Sequence, residues 1–432
     1  MFASPRRLDL QLFCILQRSF NSKTLEIWPE LPIVIRVDGL GLLSQVNATN
    51  VITALRHHNR VCKISYSNRQ HQDYPLLDEI AAIDEPFPAL TALVLSAHGP
   101  NVPVLPDSFL GGSAPRLRSL DLLGIPYPSI GTLLSSTPNL VQLHLSRIPH
   151  SGYIAPETIV PCLSTLTRLE SLELGFQHPR SRARATRHPP PGPLTRVVFP
   201  NLTFLEFCGD SEYLEDILSQ IETPVLNRCR FVVFNQVVFD TPLLGYFIRR
   251  TKTFMASHAL TARVECLYSS IRIRLSEQEE MVDDGRQIRL EISCKPLDWQ
   301  LSALAQVLNS FLPSLSTLES LQIEVPCYDW QDEIEVIQWR EFLHLFASVN
   351  GVTLVHADSV RLVALALQEL AGEREAEVLP ALQNLFLRTD GWRPLGPVKE
   401  AIEQFIATRQ LYGHPVTVHY QDTTSERRVP ES

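Results

Sequence analysis

A short pattern recurs along this chain and constrains its fold more than any other feature of the sequence. The pattern is P-x-L-x-x-L-x-L, with the proline sometimes replaced by another residue. Good matches lie at residues 87–95, 114–122, 137–145, 166–174, 199–207, 315–323 and 379–387. Residues 223–231 also fit the pattern, and residues 347–354 fit it weakly. Such self-similarity indicates that one structural unit is built many times over.

The spacing of the pattern identifies the kind of repeat. The leading leucines of the first six matches are Leu90, Leu117, Leu140, Leu169, Leu202 and Leu226. Their separations centre on the leucine-rich-repeat period of about 20 to 29 residues. The L-x-L triplet alternates with period two, which predicts a short strand with both leucines on one side. One such strand cannot bury its apolar side alone, whereas parallel strands stacked about 4.7 Å apart can.

The segments between the predicted strands show helical periodicity. Ile130, Leu133 and Leu134 precede one proline, and Leu214 with Ile217 precedes another, at the i, i+3 and i+4 spacing of an apolar helix face. The predicted fold class is therefore α/β, a leucine-rich-repeat solenoid or horseshoe. Its parallel strands are expected on the concave face and its helices outside.

The repeats also define the expected domains. Residues 1–85 lack clear repeats and are interpreted as an N-terminal capping segment, with a strand expected near Val61 to Tyr66. Residues 86–422 form the irregular solenoid, with 178–193 as a basic, proline-rich loop insertion. Residues 423–432 are polar and are expected to be a disordered tail.

The middle of the chain is less regular than the rest. Residues 242–254 and 297–312 have helical patterns. Alternating segments predict strands at Arg263–Leu267, Ile271–Leu275 and Ile288–Ile292, with a hairpin between the last two around Asp283–Gly285. We interpret 241–300 as degenerate repeats or an irregular link within the same solenoid, rather than as a separate domain. Trp330 and Trp339 flank helical segments further along the chain. Core and interface positions are the alternatives for them, and we favour the core.

Charge and composition exclude several classes of partner. The net charge of −9 disfavours nucleic acid and anionic membranes as partners. No apolar run is long enough to predict a membrane span, and the N-terminus does not resemble a signal peptide. The eight cysteines contain no C-x-x-C pair and mostly lie in apolar runs, as reduced core thiols do. A cytoplasmic or nuclear location is therefore expected.

The variable residue inside each L-x-L triplet is predicted to point away from the core, into the concave face. These candidate protein-binding residues are Val94, Asp121, His144, Glu173, Glu206, Arg230 and Gln322, followed by Phe386. If consecutive strands stack, the first six form a row across the sheet. A mixed polar row is typical of a protein-binding surface, and the alternative is an ordinary solvated side of a sheet.

No residue pattern predicts catalysis, a cofactor or a metal site. Asp121, His144 and Glu173 could suggest acid–base or metal chemistry, but a surface ion-pair row is the simpler interpretation. Phosphate-binding, zinc-protease and serine-hydrolase motifs are absent from the sequence. The insertion 178–193, with four arginines, could contact an acidic partner or serve as a nuclear-import patch. A tolerated surface insertion is the favoured interpretation.

Several longer stretches resemble a known family. They are IWPELPIVI (27–35), VITALRHHNRVCKI (51–64), EPFPALTALVL (85–95), LEISCKPLDWQLSALAQV (290–307) and the repeats at 315–323 and 379–387. Together they resemble the fungal F-box/leucine-rich-repeat-like proteins. The resemblance implies that an F-box docks on a Skp-type adaptor of a cullin–RING ubiquitin ligase, while the repeats capture the substrate.

The sequence departs from this family at its N-terminal end. The F-box signature L-P-x-E-[IL]-L-x-x-[IV]-F does not occur. Residues 10–20 are apolar enough for a helix but lack the L-P-x-E opening. The expected function is therefore the substrate-capturing part of an F-box-type receptor without a recognisable F-box. The alternatives are a scaffold or adaptor unrelated to ubiquitination, or an enzyme with an unrecognised site.

Overall fold

The computed structural model is a mixed α/β structure that divides into two compact units, Met1–Leu226 and Asn227–Ser432. This division lies far from the boundary expected near residue 85. The structure describes residues 12–15, 31–39, 45–68, 75–179, 196–236, 238–251, 260–276, 286–294, 300–310, 315, 317–325, 334–369, 378–389 and 394–422. The basic loop from 180 onward, the tail 423–432 and Trp330 lie outside these residues.

The first unit contains a parallel sheet whose strands follow one another in chain order. Its described strands are β1 Leu12–Ile15, β2 Ile33–Gly39, β3 Val61–Asn68, β4 Ala92–Ala97, β5 Ser119–Leu123, β6 Gln142–Ile148, β7 Ser171–Phe176 and β9 Phe204–Gly209. A separate parallel pair joins β8 Val197–Val198 to β10 Ile221–Glu222. Sequential parallel pairing confirms the strand order that the repeats predict.

Helical connections carry the chain back between these strands, as parallel pairing requires. The described helices are α1 Gln45–Leu55, α2 Pro75–Ala81, α3 Ile130–Ser135, α4 Pro156–Leu163 and α5 Ser211–Gln220, with 3₁₀ turns at Phe109–Gly112 and His150–Gly152. Helix α3 contacts α4, and α4 contacts α5. Apolar residues of these helices, such as Leu133 and Leu134, are buried.

The leading leucine of each repeat is brought into the core by a turn. The N–H of Leu117 donates to the carbonyl of Ala114 at 2.9 Å, and that of Leu140 donates to Thr137 at 3.1 Å. The repeat proline therefore occupies the second position of the turn, where its fixed φ is favourable. All six leading leucines are buried.

The N-terminal segment contributes more strands than its sequence indicated. Strand β1 pairs in parallel with β2, β2 with β3, and β3 with β4. The strand expected near Val61 to Tyr66 is confirmed as β3. Within the stretch 10–20, which is apolar enough for a helix, Leu12–Ile15 form strand β1 instead. Hydrogen bonding to the neighbouring strand decides this conformation, because a short apolar run alone does not distinguish helix from strand.

The second unit combines parallel and antiparallel pairing. Its described strands, in spatial order, are β11 Arg228–Phe234, β14 Gln287–Ser293, β13 Ser270–Ser276, β12 Leu260–Leu267, β15 Leu318–Glu324, β16 Gly351–Val355, β17 Asn384–Thr389 and β18 Thr417–Asp422. Strand β13 lies between β14 and β12 and pairs antiparallel with both. The remaining pairs are parallel. The chain order is thus reversed locally, over β12 to β14.

The helices of the second unit also pack against one another. They are α6 Pro242–Arg250, α7 Gln300–Asn309, α8 Ile334–Leu343, α9 Ala357–Glu369 and α10 Pro397–Leu411, with a 3₁₀ turn at His344–Phe346. Helix α8 contacts α7 and α9, and α9 contacts α10. Trp339 is buried beside Phe342, which confirms its predicted core position. No helix among the described residues is long and apolar enough to cross a membrane.

The predictions for the irregular middle are confirmed where the structure describes it. Helix α6, strands β12 to β14 and helix α7 lie where the periodicity placed them. The antiparallel pairing of β13 with β14 confirms the predicted hairpin, although its turn at Asp283–Gly285 is outside the described residues. The sequence did not predict a second tight reversal, at Tyr268–Ser269, which joins β12 to β13.

Candidate functional site: the polar face of the sheet

The predicted row of outward residues is aligned across the first unit. Val94 pairs in register with Asp121, Asp121 with His144, His144 with Glu173, and Glu173 with Glu206. Each is partly exposed, while the residues on either side of it in its strand are buried. The five side chains therefore share one face of the sheet, which we call the polar face of the first unit.

This face extends towards the N-terminus beyond the residues that the pattern predicted. Ser65 aligns with Val94, and Arg36 aligns with Ser65. Neither residue lies in an L-x-L triplet, so the repeat pattern could not find them. The looser alternation Ile35-Arg36-Val37 and Ile64-Ser65-Tyr66 is the sequence signal that would have identified both positions.

Hydrogen bonds between neighbouring strands hold several of these side chains. The His144 ring nitrogen Nε2 lies 2.9 Å from the Ser171 hydroxyl. The Ser146 hydroxyl donates to the Glu173 carboxylate. His144 and Glu173 are thus each engaged by a serine on an adjacent strand. Side chains ordered before binding lose less conformational entropy when a partner arrives.

The electrostatics of Asp121 reflect its position in the row. Burial raises the pKa of this carboxyl, and the charge of Glu173 raises it further, while His144 lowers it. The net shift is upward, so the ionised form is disfavoured in the folded protein. Among the described residues, no group of three or more His, Cys, Asp or Glu side chains is arranged to hold a metal ion.

The second unit carries a row of arginines on the partly exposed side of its sheet. Arg230 aligns with Arg289, Arg289 with Arg274, and Arg274 with Arg263. We call these four residues the arginine row. Gln322 on β15 continues it. The sequence predicted Arg230 and Gln322 but missed the other three, because antiparallel register decides which residue of each strand aligns.

Beyond Gln322, the row continues on β16 and β17 and ends at two stacked aromatic rings. Thr353 aligns with Gln322, and Phe386 aligns with Thr353. Phe386 stacks on His419 of β18, with ring centroids 4.7 Å apart and planes at 17°. Phe386 thus continues the row in register, and its ring already has an aromatic neighbour.

Three glutamates lie two residues further along their strands than the arginine row and Gln322. They are Glu291, Glu265 and Glu324. Glu291 accepts from Arg272 Nε at 3.0 Å and from Arg289 Nη2 at 3.0 Å. Arg272 also donates to Glu265 at 2.8 Å. Glu265 in turn pairs with Arg263 at 3.0 Å.

The chain of ion pairs ends on β15, where Arg263 also contacts Glu324 at 2.5 Å. Glu324 lies 3.5 Å from the ring nitrogen Nε2 of His356. An alternating network of charges thus crosses β14, β13, β12 and β15.

The network shifts the titration of its members. Burial alone would raise the pKa of Glu291, but hydrogen bonds from Arg272, Ser270 and Arg289 and the charge of Arg272 outweigh it, so the pKa is lowered. Burial lowers the pKa of Arg289, and the charges of Arg230 and Arg272 lower it further against the stabilising Glu291. The carboxylate is therefore favoured, while the crowded guanidinium is disfavoured.

A cavity in the first unit offers little room for a substrate. It is lined by aromatic residues that include Tyr153, Phe176 and Tyr213, and its volume is about 20 Å³. That volume accommodates about one water molecule, whereas ligand pockets usually measure about 300 to 1,000 Å³. Its rings pack on one another, with Phe176 and Tyr213 centroids 4.8 Å apart. The extended polar faces are the stronger candidates for function.

Comparison with known proteins adds no assignment, because no protein-family model matches the chain and no curated protein matches it significantly.

Proposed function

We propose that this chain is a leucine-rich-repeat solenoid that binds another protein on the concave, polar face of its sheet. The observation that carries the proposal is the in-register row from Val94 through Asp121, His144 and Glu173 to Glu206. Stacked strands that place variable side chains side by side create an extended surface suited to a macromolecular partner. Partial exposure of each residue supports the same interpretation.

The proposal extends to the biological role through the family resemblance. The chain is the substrate-capturing part of an F-box-type ubiquitin ligase receptor, and it lacks a recognisable F-box. The resemblance of the stretches at 27–35, 51–64 and 290–307 supports this role. A scaffold unrelated to ubiquitination would use the same face but would not bind a Skp-type adaptor.

Affinity capture with matched charge variants tests the binding face. The face variant is Glu173→Lys with Glu206→Lys, and the control is Glu79→Lys with Glu222→Lys, which are exposed residues outside the row. Proteins captured from fungal extract are quantified by mass spectrometry. We expect captured partners to fall at least tenfold with the face variant and to persist with the control, both variants showing the circular dichroism of the parent. Equal capture by both variants would contradict the proposed face.

Co-purification of the full chain with a fungal Skp-type adaptor tests the ligase role separately. A stable 1:1 complex in size-exclusion chromatography supports the receptor assignment. If no complex forms but the face variant loses its captured partners, the chain is a protein-binding scaffold without a ligase role. The first experiment therefore tests the protein-binding face, and the second tests the ubiquitin-ligase role independently.

A further inference from the structure

The arginine row places like charges directly opposite one another. Arg289 faces Arg274, and Arg274 faces Arg263, across two antiparallel strand pairs. Arg230 extends the row on a parallel neighbour. Like charges directly opposite in a sheet are destabilising. Four consecutive arginines therefore represent a cost to the fold that an anion on this face would offset.

The neighbouring glutamates do not balance these arginines. The same oxygen of Glu291, Oε2, lies 3.0 Å from groups of both Arg272 and Arg289 and 3.8 Å from Arg230. One carboxylate oxygen thus serves three guanidinium groups. The arginines on this face of the described strands outnumber Glu265, Glu291 and Glu324; they are Arg228, Arg230, Arg263, Arg272, Arg274 and Arg289. Over the described strands, this face therefore carries more cations than anions, in a chain whose net charge is −9.

Arg289 shows the imbalance most directly. Its Nε is buried and has no hydrogen-bond partner among the described residues, although its Nη2 reaches Glu291. A buried donor left unsatisfied destabilises a fold, and more so when it belongs to a charged group. The lowered pKa of Arg289, caused by burial and by the charges of Arg230 and Arg272, points in the same direction.

We propose that the arginine row binds an acidic, carboxylate-rich segment of a partner protein. The proposal rests on the proposed function, for which it names the chemistry of the partner. A guanidinium offers a rigid fork of donors that matches a carboxylate in a bidentate geometry. Four adjacent strands about 4.8 Å apart span about 14 Å, which an extended peptide of about five residues covers.

A peptide fits this surface better than a nucleic acid does. The interleaved Glu265, Glu291 and Glu324 would repel a continuous phosphate backbone. An extended peptide directs only every second side chain to one face, so even successive glutamates bring their carboxylates to the sheet at intervals. The overall charge of −9 also opposes a polyanion as large as a nucleic acid. Carboxylates placed at intervals along a peptide match the alternation of this face.

The test measures binding of a fluorescein-labelled octaglutamate peptide to the full chain by fluorescence anisotropy at low salt. The row variant is Arg230→Gln with Arg274→Gln, which leaves the contacts of Glu291 with Arg272 and Arg289 in place. The control is Arg249→Gln with Arg340→Gln, which removes the same charge from exposed helix positions. Octaglutamine and an eight-residue oligothymidylate serve as the neutral and phosphate probes.

We expect octaglutamate to bind, the row variant to weaken binding at least fivefold, and the control variant to change it less than twofold. Rising salt should weaken binding to the parent chain more steeply than binding to the row variant. The proposal is overturned if octaglutamate does not bind, if octaglutamine binds equally well, if the oligothymidylate binds more tightly, or if both variants weaken binding alike.

The result of the peptide-binding test can be told apart from the result of the affinity-capture test of the proposed function. If octaglutamate fails to bind while Glu173→Lys with Glu206→Lys still abolishes partner capture, the protein-binding role stands and the acidic-segment assignment is wrong. If octaglutamate binds but capture does not depend on the polar face of the first unit, the arginine row is a binding surface in its own right and the proposed face is wrong.

Discussion

The two units bury similar apolar faces but present different chemistry on the opposite side of their sheets. In the first unit, the partly exposed row mixes Asp121, His144 and Glu173 on strands that all run parallel. In the second unit, the row is dominated by arginines, and the strands that carry most of them run antiparallel. The buried sides are both aliphatic, with Leu143 and Ile273 as central examples.

This difference has a topological cause. Parallel strands of a repeat align the same repeat position in each strand, so the row in the first unit can be identified from one position of the L-x-L triplet. Antiparallel strands align positions that run in opposite directions along the sequence. The arginine row therefore collects Arg263, Arg274 and Arg289, which have no common repeat position.

The largest expected effects test whether the buried faces are equivalent. Leu143→Ala in the first unit and Ile273→Ala in the second each remove a fully buried aliphatic side chain. Each substitution should lower the free energy of unfolding by about 3 kcal/mol in urea denaturation, from lost burial and the cavity left behind. Val104→Ala and Leu395→Ala, at exposed positions, should each cost well under 1 kcal/mol. A loss of stability below about 1 kcal/mol for only one of the two core variants would show that the two buried faces differ.

The next prediction compares Glu291, which lies beside the arginine row, with Glu173 of the polar face of the first unit. Glu291→Gln leaves Arg272, Arg289 and Arg230 without their shared anion, and should destabilise the protein by about 3 kcal/mol. Glu173→Gln, whose side chain contacts the Ser146 hydroxyl, should cost under about 1 kcal/mol. Urea denaturation of both variants measures their unfolding free energies. Similar losses of stability in the two variants would contradict this prediction.

The pH dependence of this contrast follows from the lowered pKa of Glu291. A lowered folded pKa contributes stability above the ordinary glutamate pKa of about 4.3 and loses it as the pH falls through the folded value. The stability difference between the parent chain and Glu291→Gln should thus be full at pH 7 and shrink below about pH 4. A difference that does not change with pH would contradict the assigned ionisation.

A smaller effect, of opposite sign, is expected in the arginine row. Arg230→Gln with Arg274→Gln removes like-charge neighbours and should raise the unfolding free energy by about 0.5 kcal/mol at low salt. The control Arg249→Gln with Arg340→Gln should give no such gain. Thermal denaturation at two salt concentrations measures both variants. Destabilisation by the row variant alone would indicate that these arginines support the fold rather than a binding surface.

The smallest expected effect lies in the row of the first unit. Because the pKa of Asp121 is raised in the folded protein, Asp121→Asn should slightly stabilise the chain at pH 7. The gain should fall as the pH drops through the raised pKa, and should vanish below the ordinary aspartate value of about 3.9. Thermal denaturation between pH 3 and 7 measures it. Asp84→Asn, at an exposed loop position, is the control and should show no comparable gain.

Much of the first unit could be predicted from its repeats. The leading leucines, the strands around L-x-L and the residues from Val94 to Glu206 all lie where the pattern places them. Strand β1 could not be predicted in this way, because its four residues have no repeat signature and gain their conformation by pairing with β2. Arg36 and Ser65 were missed because they lie outside the L-x-L triplets, although the alternation around each of them marks both positions.

The sequence by itself determined the periodic part of this protein: which leucines are buried, where the short strands lie, and which side chains form the polar face of the first unit. Period-two alternation and a regular repeat spacing carry that information locally. Only the tertiary structure decided which arginines of β11 to β14 lie side by side, and that Glu291 is shared among three of them. Register between antiparallel strands depends on turns and partner strands, so no single segment of the sequence encodes it.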